Sequence, residues 1–436
     1  MSITKKRKMY MTGGIPIYPG GFSCVFKPQL KCKSKNKNKT KRNKYHRKMN
    51  SAGISKLLFK HHAKMEMDNI HLFYNALKSI PKSHKYFLFT KSKLCYPAKI
   101  SKRDLKGFDN MCTSFTNREI NESNINSNID DLRLINMPNA GVSVNEWLLN
   151  TRLTSARIIL FNKIISELIV NAIVPMNKMG VIHNDIKEDN ILISNSKTNP
   201  RPTIIDWGIS GISTSRDPIP EIIMNRYISV SNPFSSIIFT SDFIMSYSEF
   251  LQTHNNPSSP LFRQELASFA LSQYLKFKDI GHYSYVERFF IAAYTFQNRN
   301  VMDPNVNNEA DSRQIIENTY HKYASAYITD VLFHFTEFDQ EVGTGKFQYA
   351  KYFTQVYIFN CDIWGTMCCY NVFFSIVKEP ATIQHINPTN YFNFLIRLLS
   401  IFTTEIMVNG HEKINVKKLV TSLINSFQGN YAPPPL

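Results

Sequence analysis

The chain has 436 residues, 43% of them hydrophobic, and a formal charge of +19. That is enough apolar material for one large core or two moderate ones, which excludes a disordered chain. The charge is uneven. Residues 1–65 hold 18 Lys and Arg with no Asp or Glu, and taking 18 from +19 leaves only +1 for residues 66–436.

Three further classes are disfavoured. The longest apolar run, 158–174, is interrupted by Lys163 and Glu167 and falls short of the roughly 20 residues a membrane span needs, so no membrane insertion is expected. The start, Met1-Ser-Ile-Thr-Lys-Lys-Arg-Lys8, leads into Tyr, Gly and Pro and not into the apolar segment of a secretory signal, so export is not expected. The seven Cys (24, 32, 95, 112, 361, 368 and 369) are odd in number and lack paired C-x-x-C spacing. This argues against a disulfide framework and a structural zinc site, and for a reducing, intracellular setting with Cys368-Cys369 as buried core thiols.

In chain order, Gly13-Gly14, Pro16, Pro19 and Gly20-Gly21 punctuate a short apolar segment, and Phe22-Ser-Cys-Val-Phe26 reads as a strand. A glycine turn between strands is either an ordinary hairpin or a cradle whose backbone N–H groups meet phosphate. Residues 27–48 carry eleven positive charges and almost no apolar side chains, which predicts a self-repelling loop. It is a solvated insertion, a contact for nucleic acid or an acidic partner, or a nuclear-localisation signal. Tyr45 alone provides aromatic interleaving, which disfavours a dedicated single-strand binder. Gly53-Ile-Ser-Lys-Leu-Leu-Phe59 reads as a strand with Lys56 inside it, and 61–77 shows helical spacing with Glu66 and Asp68 near its start.

Strand-like pieces such as Tyr86-Phe-Leu-Phe89 follow, then an Asn/Ser-rich exposed loop at 121–128. Leu132-Arg-Leu-Ile-Asn-Met137 is a strand, Pro138-Asn-Ala-Gly141 a linker, and Val144-Asn-Glu-Trp-Leu148 a helix start. A long apolar helix over 153–179 is expected to end at Gly180.

Next comes Gly180-Val-Ile-His-Asn-Asp-Ile-Lys-Glu-Asp-Asn-Ile-Leu-Ile193, and after a polar turn Pro202-Thr-Ile-Ile-Asp-Trp-Gly208. The pattern H-x-D-x-K-x-x-N, two strand-like apolar runs, then an acid and a glycine is similar to a protein-kinase catalytic loop and metal-binding turn. More narrowly, Pro19 to Cys32, Ile54-Ser-Lys-Leu57 and Ser231-Asn-Pro-Phe-Ser235 resemble the serine/threonine kinases of large nucleocytoplasmic DNA viruses. Asn360-Cys-Asp-Ile-Trp-Gly365 is similar to the D-x-W-x-x-G opening of the helix that anchors a kinase C-lobe, with Asp362 as its buried acid.

The resemblance implies a bilobal α+β protein-kinase-like fold. A small mixed N-lobe would span 1–137, with the basic loop 27–48. A larger helical C-lobe would span 138–436, with a mainly helical insertion near 216–355. Asp206 and Asp362 are 156 positions apart, with no A-P-E motif between them. Helical spacing within the insertion covers 241–251, 261–278, 283–296 and 312–335, and residues 371–428 are helical with breaks at Pro380 and Pro388.

It also assigns roles. Asp185 would orient the acceptor hydroxyl, and Lys187 would offset charge on the transferring phosphate. Asn190 and Asp206 would hold Mg²⁺, with Mn²⁺ as an alternative. Nucleotide contacts fall to Gly20, Gly21, Phe22, Ser23 and Val25 in the glycine turn. They also fall to Lys56 paired with Glu66, Asp68 being the fallback, and to Met137 in a hinge over 137–141. His183 would be structural. Against a G-x-G-x-x-G-x-V loop only Gly20 is retained, since Tyr18 and Ser23 replace the flanking glycines. The expected function is ATP-dependent phosphorylation of Ser/Thr on proteins, in the host cytoplasm, with virion or nucleus as alternatives. The rival readings are a pseudokinase scaffold and a nucleic-acid-associated structural protein using residues 1–48.

Overall fold

A computed structural model describes residues 14–33, 53–149, 152–196, 198–226, 228–277, 309–339, 341, 344–376 and 385–427. Most of the basic segment, the expected helix at 283–296 and the C-terminal Pro run lie outside the described residues. The fold is mixed α+β with small antiparallel sheets. The chain divides into two compact units, one formed by residues up to Ala76 with Leu88–Gly141, the other by Leu77–Phe87 with Val142 onward.

The first unit is built on a five-stranded antiparallel sheet, β1 (Ile15–Pro19), β2 (Ser23–Lys27), β3 (Gly53–Phe59), β4 (Lys93–Cys95) and β5 (Leu132–Pro138), in the order β1-β2-β3-β5-β4. Strand alternation sorts its faces. Cys24, Phe26, Leu57, Leu132 and Leu134 share a core with Phe108 and Phe115 from two short helices, α2 (Phe108–Met111) and α3 (Thr113–Thr116). Helix α1 (Lys60–Leu77) follows β3 directly and buries Ala63, Met67, Ile70, Phe73 and Leu77, the three-to-four spacing of one face.

Two expectations fail in this unit and its border. Cys24 bonds to Cys112 and Cys32 to Cys95, so four of the seven thiols form disulfides. The partners lie 88 and 63 residues apart, a pairing that local spacing does not encode. Cys361, Cys368 and Cys369 are free and buried, as expected of core thiols. Tyr86-Phe-Leu-Phe89 is not a strand but a turn: Tyr86 accepts from Ile204 N at 2.7 Å, and Phe87 makes a single bridge to Ile204. These bonds place Leu77–Phe87 with the second unit.

In the second unit, β6 (Val142–Ser143) leads into α4 (Val144–Leu149) and then α5 (Ser155–Lys178), which carries a π-helical turn at Ile169–Ile173. The side chain of Thr154 caps α5 by accepting from Arg157 N, and Gly180 follows it at φ +78°, a conformation that favours glycine. Contrary to the sequence expectation, α5 is long and apolar enough to cross a membrane, and 56% of its apolar window is buried inside the protein. Ile158, Phe161, Ile165, Leu168 and Ile173 account for much of that burial. Asn162, also buried, donates to Leu423 O at 2.8 Å and accepts from Tyr370 at 3.0 Å.

Beyond α5, β7 (Val181–Ile182) pairs with β10 (Gly211–Ile212), and β8 (Ile191–Ile193) pairs with both β6 and β9 (Pro202–Ile204). Helices α6 (Ser241–Thr253), α7 (Phe262–Phe277) and α8 (Glu309–Phe335) follow. A hairpin of β11 (Thr336–Asp339) and β12 (Thr344–Phe347) interrupts what the periodicity predicts as a mainly helical stretch. Helix α9 (Ile358–Cys368) is buried at every residue but Phe359, and α10 (Asn371–Ile376), α11 (Pro388–Ile401) and α12 (Val416–Asn425) complete the unit. Pro388 opens α11 at its first turn, where a missing N–H costs nothing, and so marks a start as well as a break.

Candidate active site

Residues 183–190 form a loop between β7 and β8 whose shape is imposed from beneath. Asp362, buried in α9, accepts from His183 N at 2.9 Å and from Asn184 N at 2.8 Å. It also accepts from Asn177 Nδ2, at 2.8 Å. Burial pushes the Asp362 carboxyl above the ordinary carboxylate range, while His183 and these donors pull the other way. Gly365, one turn further along α9, brings the helix backbone against the loop: a Cβ there would lie 2.3 Å from Ile186 O and 3.1 Å from Ser231 O. Asn184 takes φ +65°, which an Asn tolerates better than most side chains.

His183 is fully buried, and loss of hydration holds it below its usual pKa. Its Nε2 lies 3.0 Å from Ile205 O, and Asp185 N donates to its Nδ1 at 3.3 Å. Trp207 packs edge-on against the ring. Both ring nitrogens are thus engaged with backbone, consistent with a structural role.

Asp185 sits among three polar neighbours. Lys187 Nζ reaches both carboxylate oxygens, at 3.1 and 3.0 Å. Asn190 Nδ2 donates to the Asp185 carbonyl at 2.8 Å and to its Oδ2 at 2.9 Å, committing the amide hydrogens and leaving Asn190 Oδ1 an acceptor that no donor among the described residues engages. Ser231 Oγ approaches Oδ1 at 3.5 Å. Strands β8 and β9 pair Ile191 with Ile204, and Ile205 N donates to Asn190 O at 3.0 Å, so Asn190 and Asp206 leave the hairpin at the same end. Asp206 is exposed, at φ +66°, and no donor among the described residues reaches its carboxylate. An amide oxygen and an unengaged carboxylate form an all-oxygen donor pair of the kind that suits a hard divalent cation.

In the first unit, Lys56 Nζ lies 2.9 Å from Glu66 Oε2, with Asp68 exposed and not involved. Val25 is the cross-strand partner of Lys56 and lies on the same face. Gly20 and Ser23 exchange backbone hydrogen bonds around Gly21 and Phe22. A Cβ on Gly20 would meet Ser23 Oγ at 2.3 Å and Ser23 O at 3.2 Å, so a larger residue there would have to turn the Ser23 hydroxyl aside, whereas Gly21 faces open space. Phe22, 59% exposed, stacks on His62 of α1. Met137 pairs with Ile54, and its carbonyl accepts from Gln29 Nε2 at 2.9 Å. That carbonyl is therefore already used within the unit.

The structure thus brings together Asp185, Lys187 and Asn190, with Asp206 at the adjoining hairpin end, and separately Lys56 with Glu66 and Val25. Sequence reasoning missed Asn177, Ser231 and Asn232. Asn232 donates to Asn184 Oδ1 at 2.9 Å and, with Ser231, brings the 229–235 segment onto the loop. The one available signal was the Ser231-Asn-Pro-Phe-Ser235 run itself.

No protein-family model matches the chain, and no curated protein matches it. Among solved structures the Cydia pomonella granulovirus kinase PK-1 is similar, at 17% identity and a TM-score of 0.24 over 50% of this chain. The chain spans 59% of the length of that kinase.

Proposed function

We propose that the protein is an ATP- and Mg²⁺-dependent serine/threonine protein kinase with a bilobal kinase-like fold. The observation that carries this reading is Asp185 held by Lys187 and Asn190 over the buried Asp362, with Asn190 and Asp206 leaving one end of the β8–β9 hairpin. Phosphoryl transfer asks mainly for positioning and charge neutralisation. Asp185 orients the acceptor hydroxyl and takes its proton, and Lys187 offsets charge on the transferring phosphoryl group. Asn190 Oδ1 and Asp206 would hold the cation, which would supply charge neutralisation at phosphate oxygens. Lys56, fixed by Glu66, binds nucleotide phosphate, and the turn over 20–23 covers it.

The test is transfer of labelled phosphate from ATP to a basic or generic acceptor protein, or to the chain itself, with Mg²⁺ and then Mn²⁺. Transfer that disappears in Asp185→Asn supports the reading. Failure of the native chain to transfer phosphate with either ion would leave the scaffold as the better description.

A further inference from the structure

Away from Asp185, the second unit gathers another set of ligating side chains. Asp330 and His334 are four residues apart on α8 and so share a helix face. His411 reaches them from the connection between α11 and α12. That segment lies close because residue 410 is glycine: a Cβ there would be 2.4 Å from Tyr327 O and 2.8 Å from Val331 Cγ2. Its other side is pinned by the buried Asn360 of α9, which donates to Glu412 O at 2.7 Å and accepts from Ile414 N at 2.9 Å.

One ligand atom from each of Asp330, His334 and His411 falls within 4.8 Å of the others. Neighbouring groups already orient them. His334 Nδ1 donates to the Asp330 carbonyl at 2.8 Å, leaving the Nε2 lone pair for ligation. Arg263 holds Asp330 Oδ1, leaving Oδ2, which lies 3.8 Å from His411 Nδ1. That Nδ1 is shielded from solvent and has no hydrogen-bond partner among the described residues. The two imidazoles stack in parallel, 3.6 Å apart.

We propose that Asp330, His334 and His411 bind a divalent transition-metal ion, Zn²⁺ by preference. Two imidazoles and a carboxylate are a common zinc donor set, and the borderline ion suits nitrogen better than Mg²⁺ or Ca²⁺ does. Bonds of about 2.1 Å in tetrahedral geometry set donors roughly 3.4 Å apart. The three side chains therefore close by a little over an ångström, the rings turn out of their stack so that their in-plane lone pairs converge, and water completes the shell. The ion would staple the long insertion helix α8 to the segment that Asn360 anchors, on the same helix that carries Asp362.

The full chain, stripped with chelator, is titrated with Co²⁺ and followed by ligand-field absorption, then with Zn²⁺ and followed by thermal melting. The expected result is one Co²⁺ per chain, displaced by Zn²⁺, and a higher melting midpoint with Zn²⁺. His334 is exposed, so His334→Gln leaves folding intact. It weakens Co²⁺ binding at least about tenfold and removes the Zn²⁺ shift. Asp206→Ala, which disables only the hairpin-end oxygens, keeps both. Absence of ligand-field bands in the native chain overturns the proposal. So does binding that His334→Gln leaves unchanged, or binding lost in Asp206→Ala.

Discussion

The surroundings of Asp185 and of Lys56 differ in how they are held. Around Asp185 the loop is fixed by a buried carboxylate, a buried asparagine and a glycine contact from α9, and its polar groups have little freedom to be elsewhere. Around Lys56 the geometry includes an ion pair with Glu66 whose side chains are 20% and 25% exposed, and a turn whose tip, Phe22, is exposed. Buried polar groups must find partners or cost stability, so geometry of the first kind tolerates little substitution. A partly exposed pair is held weakly and relies on its surroundings.

The sharpest test of this contrast is Asp185→Asn. It preserves shape and should lower phosphate transfer by roughly a thousandfold while leaving the melting midpoint near that of the native chain. A large loss of stability would mean that Asp185 is part of the scaffold beneath it. Asp362→Asn should do the opposite, turning an acceptor into a donor that faces backbone N–H groups. It should cost about 2–4 kcal/mol in chemical denaturation, with activity lost alongside. A variant as stable as the native chain would show that the loop is not hung on α9.

Glu66→Gln probes the weaker end. Transfer should fall about tenfold, with a higher requirement for ATP, while stability changes by less than about 1 kcal/mol. A stability loss as large as that of Asp362→Asn would erase the proposed difference between the two regions.

The smallest effect is in pH. His183 is held below its unfolded value of about 6.5, so the unfolded chain takes up a proton there before the folded one. Its contribution to stability is full above that value and is lost as pH falls below it. Unfolding free energies measured between pH 7.5 and 5.5 should therefore decline more steeply for the native chain than for His183→Gln, by up to about 1.4 kcal/mol per pH unit. Equal slopes would mean that another group carries the acid sensitivity.

The legibility of the sequence follows the same division. Gly180 to Gly208 was readable because burial, a strand pair and a helix end all had to be satisfied within thirty residues, and each leaves a local mark. The Lys56–Glu66 pair was reachable only because strand β3 runs straight into α1. What escaped is non-local: disulfides joining residues 88 and 63 apart, the 229–235 segment folding back onto Asn184 and Asp185, and a β11–β12 hairpin among helices. Side-chain periodicity reports which face a residue buries, not which distant segment it meets.

Gly365 has a bearing on how this chain can vary. Because α9 touches both the loop at Ile186 and the segment at Ser231, the distance in space between Asp206 and Asp362 is set locally, although the two are 156 positions apart in the chain. Loop-closure entropy rises only logarithmically, by about 0.6 kcal/mol for each doubling of length. Length can therefore vary at the connections of that region at little cost in closure, whereas its helices are held by burial: Tyr274, Tyr320 and Tyr327 are buried, and Tyr327 packs edge-on against Trp364 of α9.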